Sequence, residues 1–316
     1  MELNEETMDA LGELAASSRE IVPYWYPPVG GESPSAGVYL GNLIDEGVGR
    51  VLSFASGFLD DHDTEELHQL RINVRKLRAL CQFTGPVAVD SEVLRGANGV
   101  LRALAVPFGE VRDRDVFLER LSAGELPADV LAAVSTKGRE GVVERIVAER
   151  ARFAGESEAV LRSSEWTDAL GRIRRAASTG AWRGSVPGRL PARYVVAHGL
   201  DAAWWWLSAQ LPCVADAGMA AGERHKVRIQ AKKLRYITEL TADLFDPLPA
   251  PLPDLLPDAR PDSLTGAATG DRPSGGGHGD TLEQRRRAFT AACKDAQDVL
   301  GEIQDDLTAQ RLLASA

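Results

Sequence analysis

One string of charged residues occurs twice in this chain: His68-Gln-Leu-Arg71-Ile-Asn-Val-Arg75-Lys76-Leu-Arg78 and His225-Lys-Val-Arg228-Ile-Gln-Ala-Lys232-Lys233-Leu-Arg235. The five basic positions, and Ile72/Ile229 and Leu77/Leu234 between them, all stand 157 residues apart. A constant offset through charged and apolar positions alike marks an internal duplication, so the fold available to one half constrains the other. A second pair, Gly109-Glu110-Val-Arg-Asp113 and Gly301-Glu302-Ile-Gln-Asp305, is offset by 192. The excess of 35 matches the length of the Pro/Gly-rich stretch 246–280, so one insertion reconciles the two offsets. Under the second offset Arg95 falls on Arg287 and Arg102 on Lys294, which adds two cations seven residues apart on one helical face in each half.

Apolar residues recur at three- and four-residue spacing through 37–60, 64–83, 89–105, 108–122, 139–163, 190–211, 219–245 and 281–314. Nothing alternates with the period of a strand, so the chain is expected to be all-α. Asp63 with Glu66 three residues on has the form of a helix start, and Gly85-Pro86 of a stop. The predicted organisation is an N-terminal Pro/Gly/aromatic-rich extension (1–36), a first helical repeat (37–165) and a second (166–316) interrupted by an irregular insertion (246–280). Ser178 to Arg193, with three glycines and two prolines, has the composition of a connector.

At 100° per residue, His68, Arg71, Arg75 and Arg78 fall within a stripe about 80° wide, with Leu70, Val74, Leu77 and Leu80 on the other side. His225, Arg228, Lys232 and Arg235 stand in the same way opposite Val227, Ala231, Leu234 and Ile237. Like charges at this spacing repel by a few tenths of a kcal/mol per pair, and few acidic residues lie within either motif to relieve them. An external polyanion is the expected counterpart. Each stripe spans about 15 Å, with arginines able to fork onto phosphate oxygens and lysines acting as point charges. His68 and His225, beside so many cations, are expected to resist protonation until an anion arrives.

Composition excludes several classes. The 316 residues are 44% hydrophobic, enough for one large core or two smaller ones, and the net charge is -10 with a pI near 5.1. Cys81, Cys213 and Cys293 are isolated, which argues against a disulfide framework and a zinc site. The acidic N-terminus and the lack of an apolar run of about 20 residues give the expectation of a cytoplasmic protein with no membrane association.

Other features have plainer readings. Asp60, Asp61, His62 and Asp63 sit at a helix start, where carboxylates favour the dipole, so no metal is expected there. Trp204, Trp205 and Trp206 point in three directions on a helix and are expected to pack between helices. Asp113 and Asp305 are read as caps or salt-bridge partners of the basic helices. The run Arg172, Arg174, Arg175, Arg183, Arg189 and Arg193 extends the basic surface or is a connector. Arg285, Arg286 and Arg287 open the last helix, where the dipole disfavours cations and an anion would relieve them.

The motif His-x-x-Arg-[Ile/Val]-x-x-[Arg/Lys]-[Arg/Lys]-Leu-Arg in two copies, each followed by a Gly-x-x-x-Asp segment, resembles the CHAD domain, over about residues 37–316. The resemblance implies two four-helix bundles related by pseudo-twofold symmetry, with basic helices lining a groove that binds inorganic polyphosphate. The implied binding residues are His68, Arg71, Arg75, Lys76 and Arg78, then His225, Arg228, Lys232, Lys233 and Arg235, to which the second offset adds Arg102 and Lys294. Some relatives are fused to a catalytic domain carrying Glu-x-Glu-x-Lys. That motif is missing here, so non-enzymatic binding without cofactor, metal or catalytic residues is expected. Polyphosphate granules are a further expected partner. Nucleic acid is the alternative, disfavoured by the net acidity and by the lack of aromatics among the basic positions; a polyphosphate phosphohydrolase is the third class.

Overall fold

The structure, a computed structural model, describes residues 33–85, 91–180, 185–214, 221–245, 288–291, 293–294 and 305–314. Ten α-helices are bounded within them: α1 (Ala36–Asp61), α2 (Thr64–Thr84), α3 (Ser91–Leu104), α4 (Val106–Ala123), α5 (Ala128–Lys137), α6 (Arg139–Leu161), α7 (Ser164–Arg175), the four-residue α8 (Val186–Arg189), α9 (Ala192–Val214) and α10 (Ala221–Leu240). A π turn (Ala176–Gly180) follows α7, a 3-10 turn (Ala242–Phe245) follows α10, and residues 305–314 are helical. The fold is all-α. Among the described residues the single β feature is an isolated bridge between Ser35 and Pro191.

Local chemistry sets the boundaries. Ser35 caps α1 by accepting from the Val38 amide. His62 ends that helix in the left-handed region at φ 53°, and one residue later the Asp63 carboxylate accepts from Glu65 N at 3.0 Å to open α2. Two residues thus turn the chain back on itself. This explains why α1 and α2 pack along each other over most of their length. Of Asp60 to Asp63, Asp63 alone stands at a helix start; Asp60 and Asp61 are the last residues of α1, the end at which the dipole disfavours carboxylates. Gly85 follows the last residue of α2, and Gly124 at φ 77° ends α4.

The basic helix α2 packs its apolar face on α1 and α3 and also contacts its repeat partner α10, which rests on α9. The larger core passes through both halves: Leu40, Ile44 and Val51 of α1, Leu70, Val74 and Leu77 of α2, Leu94 and Leu101 of α3, Trp166 and Leu170 of α7, Val196 and Leu200 of α9, and Val227, Leu234 and Ile237 of α10. Each of these large side chains contributes about 1.5–3 kcal/mol by leaving water. A second core joins Phe117 and Leu121 of α4 to Val134 of α5, Ile146 of α6, and Leu312 and Leu313 of the C-terminal segment. Hydrogen bonds fix how α4 is rotated. Buried Arg114 donates to Glu149 at 2.7 Å and to Glu110 at 2.7 Å, while Arg150 joins Asp115 of α4 to Thr64 of α2.

Helices α5 and α7 were not anticipated from periodicity, and the Ser178–Arg193 connector contains the end of the π turn and α8. The tryptophan triplet is corrected. Trp204 meets Phe289 edge to face at 5.9 Å, whereas Trp205 is 77% and Trp206 41% exposed, because α9 buries one face only. Residues 1–32, the 246–280 insertion, Arg285 to Arg287, and Gly301 and Glu302 of the second Gly-x-x-x-Asp motif lie outside the described residues. Among the described residues no helix is long and apolar enough to cross a membrane.

Candidate anion-binding cavity

Four elements converge on a cavity of about 420 Å³. α2 supplies Arg71 and Arg75; α10 supplies His225, Arg228 and Lys232; α4 supplies Glu110, Arg112, Asp113 and Arg120; the C-terminal helical segment supplies Asp305 and Arg311. Among the described residues seven arginines and lysines therefore face three carboxylates, in a chain whose net charge is -10. The position of the first two groups follows from the repeat: α2 and α10 pack against each other, and each turns its apolar face into the shared core and its charged stripe outward.

The crowding of cations is visible in their titration. Burial, then Arg228, Arg75 and Arg71, push the Lys232 ammonium down to about 7, with Asp305 acting weakly against them. Burial and then Arg75 push Arg71 down to about 10, so it stays charged at neutral pH. His68 lies half-buried beside the cavity, and burial followed by Arg112 lowers its affinity for a proton. Its Nδ1 is buried with no hydrogen-bond partner among the described residues. Burial, with Glu110 and Asp305 nearby, raises the Asp113 carboxyl although Arg71 and Arg311 oppose the shift.

The sequence-derived site residues divide into three groups. Arg71, Arg75, His225, Arg228 and Lys232 line the cavity, and His68 adjoins it. Lys76 and Arg235 are instead bound to Glu239, at 3.3 Å and 3.5 Å, and both lie against the Tyr236 ring. The rest lie away from it. Arg78 donates to Asn98 at 3.0 Å, and its proton affinity is lowered by burial and then by exposed Arg102. Lys233 borders a separate groove of about 240 Å³ with Phe83, Leu200 and Ile237. Lys294 is exposed and does not line the cavity.

Sequence reasoning missed Arg112, Arg120 and Arg311. Arg311 donates to Asp113 at 3.1 Å and stands 3.7 Å from Glu110. Thus Asp113 is bonded directly to the C-terminal segment, while Arg71 of the basic helix α2 acts on it through its charge. Arg120 is bound to Asp306 at 2.8 Å and to the Glu125 carbonyl at 2.9 Å. In the 172–193 run, Arg174 pairs with Asp45 and Arg193 donates to the Leu244 carbonyl, and no described member of the run lines the cavity. Cys81 and Cys293 are free and buried, with burial pushing the Cys81 thiol up to about 12. Among the described residues no three His, Cys, Asp or Glu side chains form a group able to hold a metal ion.

The sequence profile of the CHAD domain matches residues 42–260, more than half of the chain. The chain belongs to the CHAD domain family. Its fold is similar to the crystal structure of the CHAD domain from the plant Ricinus communis, with a TM-score of 0.62 at 17% identity over 90% of this chain and 79% of that one. PptA from Streptomyces chartreusis aligns at 12% identity over 88% of this chain and 100% of its own, with a TM-score of 0.49. No curated protein matches the sequence. The CHAD match spans both basic helices and ends before Asp305 and Arg311, so the C-terminal wall of the cavity lies beyond it.

Proposed function

We propose that this CHAD protein binds inorganic polyphosphate in the cavity between its two basic helices and does not turn it over. The observation that carries this reading is the convergence of Arg71 and Arg75 with Arg228 and Lys232, one pair from each repeat, on a single cavity that also receives Arg112, Arg120 and Arg311. Cations this close favour a ligand with closely spaced negative charges, and the release of its counterions supplies driving force without any need to read bases. The depressed proton affinities of Lys232 and His68 mark groups that gain a positive charge more readily once a polyanion has neutralised the surrounding arginines together.

Support for binding without turnover comes from two of the three cavity carboxylates. Glu110 accepts from Arg114, and Asp113 accepts from Arg311, which engages groups that a hydrolytic mechanism would need for metal or water. On this reading the protein resides in the cytoplasm and collects at polyphosphate granules.

Titration with polyphosphate of graded length, beside DNA and RNA at matched near-physiological salt, tests the proposal, with free phosphate followed in the same samples with and without Mg²⁺. Tight, length-dependent polyphosphate binding without phosphate release is expected. Equal affinity for DNA would favour the nucleic-acid reading, and Mg²⁺-dependent release the hydrolase reading; either overturns the proposal.

A further inference from the structure

Lys232 is the one described lysine that lines the cavity; Lys233, whose proton affinity is also lowered by burial and then by Arg78, borders the separate groove. Lys76 is paired with Glu239 and Lys226 with Glu223, but Lys232 forms no ion pair or hydrogen bond among the described residues. Arg71 and Arg75 face it from α2, and Arg228 stands one turn away on α10 with His225 beyond. From α4 come Glu110, Arg112, Asp113 and Arg120, and from the C-terminal segment Asp305 and Arg311; of these carboxylates Asp305 acts on Lys232. The ammonium of such a lysine is disfavoured, and its free amine is the form that attacks electrophiles. The surroundings that disfavour the ammonium also concentrate anions at the amine.

We propose that Lys232 is a site of acylation by small acyl phosphates, whose phosphate the cavity arginines bind while the acyl carbon is presented to Nζ. The Nζ lone pair forms a bond to the acyl carbon, the bond from that carbon to the phosphate oxygen breaks, inorganic phosphate leaves, and the amine proton passes to solvent. The product is a neutral amide in the wall of the cavity, with one cation fewer facing the ligand. Acylation stands on the cavity alone; its consequence, weaker polyphosphate binding, rests on the function proposed above.

A lysine whose proton affinity is pushed down to about 7 is about half free amine at neutral pH, when an ordinary lysine is about 0.1% free, and this offsets its lower basicity to leave a net rate advantage of about tenfold or more. The test is incubation of the full chain with acetyl phosphate at pH 7.5, with acetylation followed site by site by peptide mass spectrometry, and repeated with polyphosphate present. Lys232 is expected to react about tenfold faster than Lys226, and polyphosphate to slow Lys232 alone. Equal rates at Lys232 and Lys226 would overturn the inference, and leave the binding proposal standing if titration still shows binding. Fast reaction at Lys232 without protection by polyphosphate supports the acylation and counts against the binding proposal. Polyphosphate titration of wild type before and after acetyl phosphate treatment is expected to show affinity falling in proportion to the fraction of Lys232 acetylated, and an unchanged affinity at full acetylation would overturn that consequence.

Discussion

Lys76 of the first basic helix and Glu239 of the second form an ion pair at 3.3 Å that ties the two repeats together. Arg235 shares the same carboxylate, and both cations lie against Tyr236. Lys76 therefore serves the contact between the helices and Arg235 holds its carboxylate partner from within α10, and neither lines the cavity. Glu239→Gln is expected to lower stability by about 1 kcal/mol, as these partly exposed pairs are screened by water, and to leave polyphosphate affinity equal or slightly higher. Thermal unfolding and calorimetric titration of the variant check both halves of the expectation.

The opposite pattern is expected of Arg75 and Lys232. Both line the cavity, and Arg75 lowers the proton affinity of Lys232, so in the empty protein they repel each other. Replacing both with glutamate should reduce polyphosphate affinity by about a hundredfold or more at low salt, and reduce the salt slope by about one for each phosphate contact removed. Helicity by circular dichroism should be unchanged. Unfolding of the variant would assign the two residues to the fold instead.

The all-α class and most helix limits were legible in the three- and four-residue apolar spacing, and half of the cavity because the chain repeats itself. The 157-residue offset picks out Arg71/Arg228 and Arg75/Lys232, and these meet in space. Repetition is also what concealed the rest. Under the 192 offset Arg112 falls on Gln304, Arg120 on Leu312, and Arg311 on Glu119, so each unrepeated cation drops out of a comparison of halves. The usable signal was their proximity in sequence to the repeated aspartates. Helix α7 escaped because its four buried side chains, Trp166, Ala169, Leu170 and Ile173, sit among three arginines and read as basic connector. Three consecutive tryptophans do point in three directions, but α9 has neighbours on one face only, so Trp205 and Trp206 stay exposed where packing between helices was expected.

Gly199 of α9 sets how closely that helix approaches α2. A Cβ at this position would stand 2.6 Å from two carbons of the Phe83 ring. Gly199→Ala is therefore expected to cost about 1–3 kcal/mol as α9 or the ring shifts. Phe83→Leu added to it should recover part of the loss, and a double-mutant cycle by denaturant unfolding measures the coupling. Independent effects of the two substitutions would show that the ring gives way freely.

Lys232 also makes a signed prediction for stability against pH. Its proton affinity falls from the ordinary lysine value of 10.5 to about 7 on folding, so between these values the unfolded chain holds a proton that the folded chain lacks. Stability from this residue accordingly rises as pH climbs from about 7 towards 10.5, and below 7 the full cost of confining the charged ammonium is present. Lys232→Met abolishes the titration. Its advantage in Tm over wild type should be largest at pH 6 to 7 and shrink steadily towards pH 10. Bound polyphosphate should also reduce the difference at pH 7 by neutralising the arginines around Lys232. A Tm difference constant across this range would mean that Lys232 keeps an ordinary proton affinity despite Arg71, Arg75 and Arg228.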